Sequence, residues 1–446
     1  MKTRAIVGAL AVLVLVVHAA GAAPPAPRFD EVSKNVRLST DPLADSEIPG
    51  GEMQAEPHIA IDPTDPRHLL VGAQEGRRAD GGAQASGYYA STDAGKTWTT
   101  GLIPGLTAAS GGPYERASDP VVAFGPDGTA YFASLTVGPD AIVVSRDAPG
   151  EPTEWSPPVE VTRATEQGFP DKEWLAVDTG VDSPHVGTLY VTWTDFAATG
   201  RTTIRLSRST DGGSTWIEPL GISGGDEAVQ GSVPVVGPDG TVTVVYFDTF
   251  EFRIRAATST DGGITFGDPE TVAPVKLTRL PGLRTGTIIP SAFADRSTGR
   301  LHVVWQDAHR DTSDIFYVSS RRGGTTWTEP TRVNRSKRGS VQFTAAVTAV
   351  GRAVHVLYYD SRDPRGRDDL YNVHYSQSRD GGRSWLRSVR VTPRSFDMDF
   401  AANSQGGRGK FLADYIGIVA TAARAYGVWV DTRRHQNDVF HSRISR

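Results

Sequence analysis

The sequence predicts an all-β protein, a β-propeller of four-stranded antiparallel blades, and repetition is what predicts it. Five short segments share one pattern, Ser-x-Asp-x-Gly-x-Thr-Trp: residues 91–98 (STDAGKTW), 209–216 (STDGGSTW), 259–266 (STDGGITF), 320–327 (SRRGGTTW) and 378–385 (SRDGGRSW). They recur at intervals of roughly 50 to 60 residues or a multiple of it, so one supersecondary unit is copied along the chain. The sequence between them repeats as well. Each unit opens with a short apolar strand, passes a Pro-Asp-Gly type turn, runs through a second strand ending near an acidic residue, crosses a variable loop, and returns through the box into a last strand. Forty-eight glycines and 29 prolines supply the frequent turns this requires.

The units open near Glu56, Ser118, Asp171, Ser232, Pro290, Val341 and Asp414. Their second strands read LLVGAQ, AYFASL, LYVTWTD, VTVVYFD, LHVVWQD, VHVLYYD and YGVWVD. Seven units make a seven-bladed propeller, with short protected edges around a central channel. The last unit is incomplete, because only VFHSRIS follows the Asp431 loop. Asn35–Ser39 (NVRLS) looks like the strand that follows the box elsewhere, as in VEVT and VRVT. The N-terminal strand is therefore expected to close the ring as the outermost strand of the last blade, removing an exposed edge.

The box chemistry is readable from its residue types. A short carboxylate such as Asp93 accepts backbone N–H groups inside the turn, Gly95 supplies a left-handed backbone angle, and Trp98 buries its ring as the chain re-enters a strand. The motif resembles the Asp-box, or bacterial neuraminidase repeat, of the sialidase superfamily. That resemblance implies a structural role for the boxes, on the face away from a catalytic site. It also implies six blades, the alternative to the seven counted here. Arg322 stands where the fourth box would carry Asp, and residues 145–155 (SRDAPGEPTEW) form a stretched copy.

Composition bounds the rest. Residues 1–22 read as a signal peptide, with Lys2 and Arg4 before an apolar run from Ala5 to Val17 and small residues at Ala20 and Ala22. The run is short for a membrane span, although a retained anchor is the alternative. Residues 23–34 are then a spacer, and 35–446 one propeller domain, secreted, periplasmic or at the cell surface. The chain has no cysteine, so its core is held without disulfides. Its formal charge of −5, or −7 beyond Ala22, is spread over interspersed acids and bases. This pattern suits neither nucleic acid nor a membrane surface and fits a soluble monomer.

Topology directs attention to the face opposite the boxes. There the second strands end at Asp195, Asp248, Asp307, Asp360 and Asp431, and the units open at Glu56, Asp119, Asp171, Glu173, Asp414 and Tyr415. In the last three blades an arginine follows the strand-ending acid: Arg310, Arg362 and Arg433. Three guanidinium groups on neighbouring blades suit a substrate carboxylate, and each suits its own aspartate equally well as a loop brace. The resemblance to sialidases implies the first use, with a tyrosine nucleophile that Tyr415 would supply. A phenol needs a base, for which Asp360, Asp414 and Asp431 are candidates; Asp119, Asp171 and Glu173 are candidates for the general acid. The Phe/Tyr-Arg-Ile-Pro motif of sialidases is absent. The histidines show no paired zinc spacing. No cofactor is expected, although an oxygen-rich rim can hold a structural calcium ion.

Two functions follow. The first is a secreted exo-α-sialidase-type glycoside hydrolase acting on an acidic sugar, with Arg310, Arg362 and Arg433 as substrate-binding residues. The second is a non-catalytic propeller that binds a glycan or protein at the same face.

Overall fold

The computed structural model describes residues 31–446 except 48, 151–152, 226–227, 278–279, 281, 285–288, 309–311, 322, 336–338, 363–369, 408 and 446. The expected signal peptide, most of the spacer, Arg310 and Arg322 lie outside the described residues. The rest is nearly all antiparallel β-structure with three single-turn 3₁₀ segments. No helix among the described residues is long and apolar enough to cross a membrane.

Most strands group into seven four-strand meanders among the described residues; Phe396–Asp397 pairs beside Leu370–Tyr371, and Ala402–Asn403 pairs with Lys410–Phe411. Meander 1 comprises Gln54–Ile61, Leu69–Arg77, Ala83–Ser91 and Thr99–Leu102; meander 2, Arg116–Phe124, Ala130–Val137, Ala141–Asp147 and Val159–Arg163. A single pairing, Ala83 with Ala117, links these two. Meander 3 runs through Gly168–Val177, Leu189–Ala197, Thr202–Ser209 and Leu220–Gly221; meander 4, through Val229–Val236, Val242–Asp248, Arg253–Ser259 and Glu270–Pro274. Meander 5 is Ser291–Ala294, Leu301–Asp307, Asp314–Ser320 and Thr331–Arg332, and meander 6 is Gln342–Val350, Ala353–Asp360, Leu370–Ser378 and Val389–Arg390.

Meander 7 draws on both ends of the chain. Gly417–Ala420, Arg424–Asp431 and Asp438–Ser445 are joined by Val36–Arg37, which pairs antiparallel with His441 and Phe440. Leu38 N–H donates to the Val439 carbonyl at 2.8 Å, and the Arg37 guanidinium lies 2.7 Å from Asp438. The segment read from sequence as a displaced fourth strand therefore occupies that position.

The core lies between meanders. Each apolar cluster joins neighbours: Leu70 and Tyr88 with Phe132 and Trp155, Val144 with Val191 and Trp193, Ile204 with Val244 and Tyr246, and Val245 with Trp305. Val304 and Tyr317 meet Val356 and Tyr358, while Leu357 and Tyr359 join Val428 and Trp429, which reach Ile59 and Val71 of meander 1. A strand buried on both faces reads as a continuous apolar run, which is why VTVVYFD and LHVVWQD have no polar alternation.

The boxes join the meanders as well as their own turns. In the first, Asp93 accepts the N–H groups of Lys96 and Thr97 at 2.9 Å each, and Ser91 Oγ accepts Gly95 N–H at 2.9 Å. Asp211, Asp261 and Asp380 repeat the pattern. Gly95, at φ 75°, lies against the preceding meander, where an added Cβ would fall 2.5 Å from His441 Nε2. At Gly382 it would fall 1.9 Å from the Tyr317 ring. Box glycines thus permit both the turn and the close approach.

Two outcomes follow from this packing. Deleting residues 31–40 removes the Leu38 side chain from the core and several cross-strand hydrogen bonds, so thermal or denaturant unfolding should report a loss of about 3–6 kcal/mol. The second concerns pH. Burial lowers the ring pKa of His58 and His374 to about 4 and of His302 and His441 to about 3. The unfolded chain takes up protons below about 6.5 while these folded rings do not, so stability falls as pH drops from there. Burial has the opposite consequence for Glu56, raised to about 8, Glu75, raised to about 7, and Glu173, raised well above the usual carboxylate range. Their unfolded counterparts ionise above about 4.5, so stability also falls as pH rises from that point. Melting temperature against pH should peak at roughly 5 to 6 and decline on both sides.

Candidate functional site

A repeated defect in the first strands builds the site. In five meanders the ladder to the second strand skips: between Ala55 and His58, Ser118 and Val121, Asp171 and Trp174, Gln230 and Val233, and Phe343 and Ala345. At each skip one residue has a left-handed backbone: Glu56 (φ 53°), Asp119 (47°), Lys172 (55°), Gly231 (72°) and Thr344 (45°). For a residue with a Cβ this conformation costs about 1–3 kcal/mol, and it re-aims the side chain. Pro57 and Pro120 follow two of these residues directly and so lie inside the unpaired stretch, where a missing N–H removes no ladder bond.

Glu56, Asp119 and Lys172 consequently meet at one end of the channel. Lys172 Nζ lies 3.1 Å from Glu56 Oε1, 3.3 Å from Asp119 Oδ2 and 2.6 Å from Asp414 Oδ2. Asp414 also receives Arg284 at 3.0 Å. Behind them Gln74 donates to Glu56 and, at 2.8 Å, to Ser118 Oγ, while Arg77 donates to Gln74 at 2.9 Å. The Phe411 ring lies beneath both guanidinium groups, 4.5 Å from Arg77 and 4.9 Å from Arg284.

Environment separates the acids. Burial and the neighbouring Asp119 charge raise Glu56 to about 8. Burial acts to raise Asp119 as well, but the Lys172 charge and hydrogen bonds outweigh it and bring the pKa to about 2. Asp171, partly exposed, is raised to about 6 by burial and by Asp119. At Asp414 burial is outweighed by Lys172 and Arg284, so its carboxyl is held below the ordinary range. Burial opposes the Lys172 charge, yet its ring of carboxylates keeps the ammonium protonated well above its usual range.

Of the sequence candidates, Asp119, Asp171, Glu173 and Asp414 come together here. Glu173 is 1% exposed, and neither carboxyl oxygen has a hydrogen-bond partner among the described residues. Tyr415 is adjacent, but its hydroxyl donates to the Pro120 carbonyl at 3.0 Å, and burial raises its pKa well above the usual value. That phenol is committed to packing. The expected arginine convergence is not found for the two described members. Arg362 turns onto Asp360 at 2.6 Å, and Arg433 grips Asp431 while stacking 4.0 Å above the Phe440 ring. Asp360 and Asp431 therefore brace their own loops, outside the cluster. Asp307 is likewise engaged, by Trp305 Nε1 and the Lys276 N–H, each at 3.2 Å. No group of three or more His, Cys, Asp or Glu side chains among the described residues is arranged to hold a metal ion.

Sequence reasoning passed over Lys172, Arg77 and Arg284. The signal for Lys172 was present: FPDKEW places one lysine between two acids, Asp171 and Glu173, at the position where the two preceding units carry Glu56-Pro57 and Asp119-Pro120. Arg284 lies in the long connection before meander 5, where no repeat offers an alignment.

The channel itself is open. A cavity of about 500 Å³ is lined by the first strands of all seven meanders. Its mouth lies among first-to-second turns, on the box face, and Trp174 and Tyr415 separate it from a small void of about 10 Å³ beside Asp119, Lys172 and Glu173.

Comparison with known proteins agrees with this architecture. A protein of unknown function from Dyadobacter fermentans aligns over 93% of this chain and 98% of its own, at 14% identity and a TM-score of 0.51, and so shares the overall fold. A Hadza microbial sialidase aligns at 17% identity and a TM-score of 0.48, over 69% of this chain and 64% of its own, so the chain spans under two thirds of that protein. An α-L-arabinanase from Penicillium chrysogenum aligns at 17% identity and a TM-score of 0.49, over 77% and 98%. No curated protein matches by sequence. Residues 187–406 match the BNR repeat-like domain family. That match spans just under half of the chain, and with the serial boxes it identifies a BNR repeat-like domain within it.

Proposed function

We propose that the chain is an exported, monomeric, seven-bladed propeller that cleaves glycosidic bonds of an acidic glycan at the Lys172 end of its channel. The seven-blade reading is supported by the cyclic order of contacts, in which each first strand packs on the next and Gly417–Ala420 returns to Gln54–Ile61. The catalytic reading rests on one observation: two partly exposed carboxyl groups, Asp171 and Asp414, sit in one cluster with pKa values pushed in opposite directions. Such a split is how one site holds a proton donor beside an anionic partner.

In this mechanism Asp171 donates a proton to the departing oxygen. Asp414, kept ionised by Lys172 and Arg284, stabilises positive charge developing on the sugar as the C–O bond breaks; water then adds to the anomeric carbon and gives its proton to the Asp171 carboxylate, restoring the acid. Arg284, 24% exposed along its side chain, offers a guanidinium to the carboxylate of the substrate. The anchoring role thus moves from the three loop arginines to Arg284, and the proton chemistry from Tyr415 to carboxylates. A calcium ion has no part in these steps.

A second reading, a non-catalytic propeller binding glycan or protein, is favoured by the burial of the cluster. Glu56, Asp119 and Glu173 are 1, 3 and 1% exposed, and Lys172 is shared among three acids, as a purely structural clamp would be.

A panel of fluorogenic glycosides, with sialosides and uronides included, separates the two. On the catalytic reading, activity declines above about pH 6 as Asp171 loses its proton; Asp171→Asn lowers kcat at least about 100-fold and abolishes that limb, while Tyr415→Phe stays within a few-fold of wild type. Binding on a glycan array without turnover of any panel member would support the second reading. Lys172→Met tests the clamp shared by both: removing the ammonium leaves carboxylates facing one another in a buried site, and denaturant unfolding should show a loss of about 3–5 kcal/mol.

A further inference from the structure

The box-face cavity is a site of different character from the carboxylate cluster. Its wall is apolar and comes from seven strands, with Ile61, Val122, Val177, Val235, Val347 and Ile418 among the lining residues. The lining runs from Tyr415 at the floor through the strand Gly417–Ala420 to Thr421 at the mouth, an extended stretch of at most about 20 Å. A cavity of about 500 Å³ falls within the range of small-molecule sites.

The polar groups at the mouth are unequal. Asp62 is occupied by Thr64 N–H and Oγ1, both at 2.7 Å, and by His68 at 3.3 Å. Asp295 is occupied by Ser297 and Thr298 in its own turn. Arg296 differs: it reaches from meander 5 to Thr179 of meander 3 and donates to its hydroxyl, and it forms no ion pair with another of the described residues. Asp62, which lines the same mouth beyond ion-pair distance, favours the charged guanidinium. A guanidinium presents five N–H donors in a planar fork, and a single hydroxyl leaves most of them without a protein acceptor. An uncommitted cation above a deep apolar shaft is complementary to a molecule with one anionic head and one hydrocarbon tail.

We propose that the channel binds a medium-chain carboxylate amphiphile, its chain among the seven strands and its carboxylate on Arg296. Asp414 borders the floor of this cavity beside Tyr415, so the channel meets the carboxylate cluster at its inner end, while the head-group contact on Arg296 is made at the mouth.

Titration calorimetry of the intact protein with decanoate at neutral pH, below its micelle-forming concentration, tests this. Saturable binding at one site is expected, weakening about fourfold for each methylene removed in nonanoate and octanoate. Decanol should bind at least about tenfold more weakly than decanoate, as expected where a bidentate guanidinium–carboxylate contact is absent. Arg296→Ala should lower decanoate affinity to that of decanol and leave decanol unchanged. Ala420→Trp, at the mouth, should weaken both ligands. Absence of saturable binding, equal affinities for decanoate and decanol in the wild type, or an Arg296→Ala variant that binds decanoate as the wild type does would each overturn the proposal. Arg296 lies on an exposed turn, so that variant decides the question even where Ala420→Trp fails to fold.

Discussion

No meander in this chain can bury its own sheet. Each has two apolar faces and, among the described residues, no helix long enough to cover either, so its burial depends on the meanders packed against it. Side chains such as Trp193, Trp305 and Trp429 are fully enclosed because the next meander lies against them. The same dependence explains why box glycines are required twice over. Gly95 and Gly382 make their turns, and they also let those turns rest against His441 and Tyr317 of the preceding meander.

That rigid stack is what makes an electrostatic cluster possible in its middle. Three meanders each hold one residue in an unfavourable left-handed conformation, and the result is an ammonium among acids drawn from meanders 1 and 2 and from the loop before meander 7. Meanders 4 and 6 carry Gly231 and Thr344 at the corresponding places, so the charged groups occupy one side of the channel end. Backbone strain and buried charge at one place, held by packing elsewhere, are the usual accompaniment of a working site. A structural clamp shares both of these features, and for that reason the pH dependence of turnover is what separates the two uses.

The fold was largely legible in the sequence because repetition reports topology directly. The boxes marked the turns, the strings LYVTWTD and VHVLYYD marked second strands, and the incomplete last unit pointed to NVRLS as its missing strand. The site was legible only in part. Asp119, Asp171, Glu173 and Asp414 were identified from their place at the unit openings, whereas the arginines after Asp360 and Asp431 looked equally suited to a ligand and to a brace. Geometry alone distinguishes those uses, since a guanidinium two residues from an aspartate reaches it in one loop conformation and points away in another. Lys172 went unrecognised because a single lysine beside acids is common on surfaces, and only the bulge turns this one inward.

Pairing of Val36–Arg37 with the final strand joins residues about 400 positions apart. Such a contact is among the most non-local a chain of this length can make, and its loop-closure entropy is met only when nearly every other residue is already in place. During synthesis the amino-terminal segment must therefore wait, unpaired, until the carboxyl end emerges. This pairing forms last, and until then the growing chain carries one open sheet edge at each extremity, free to pair with another strand.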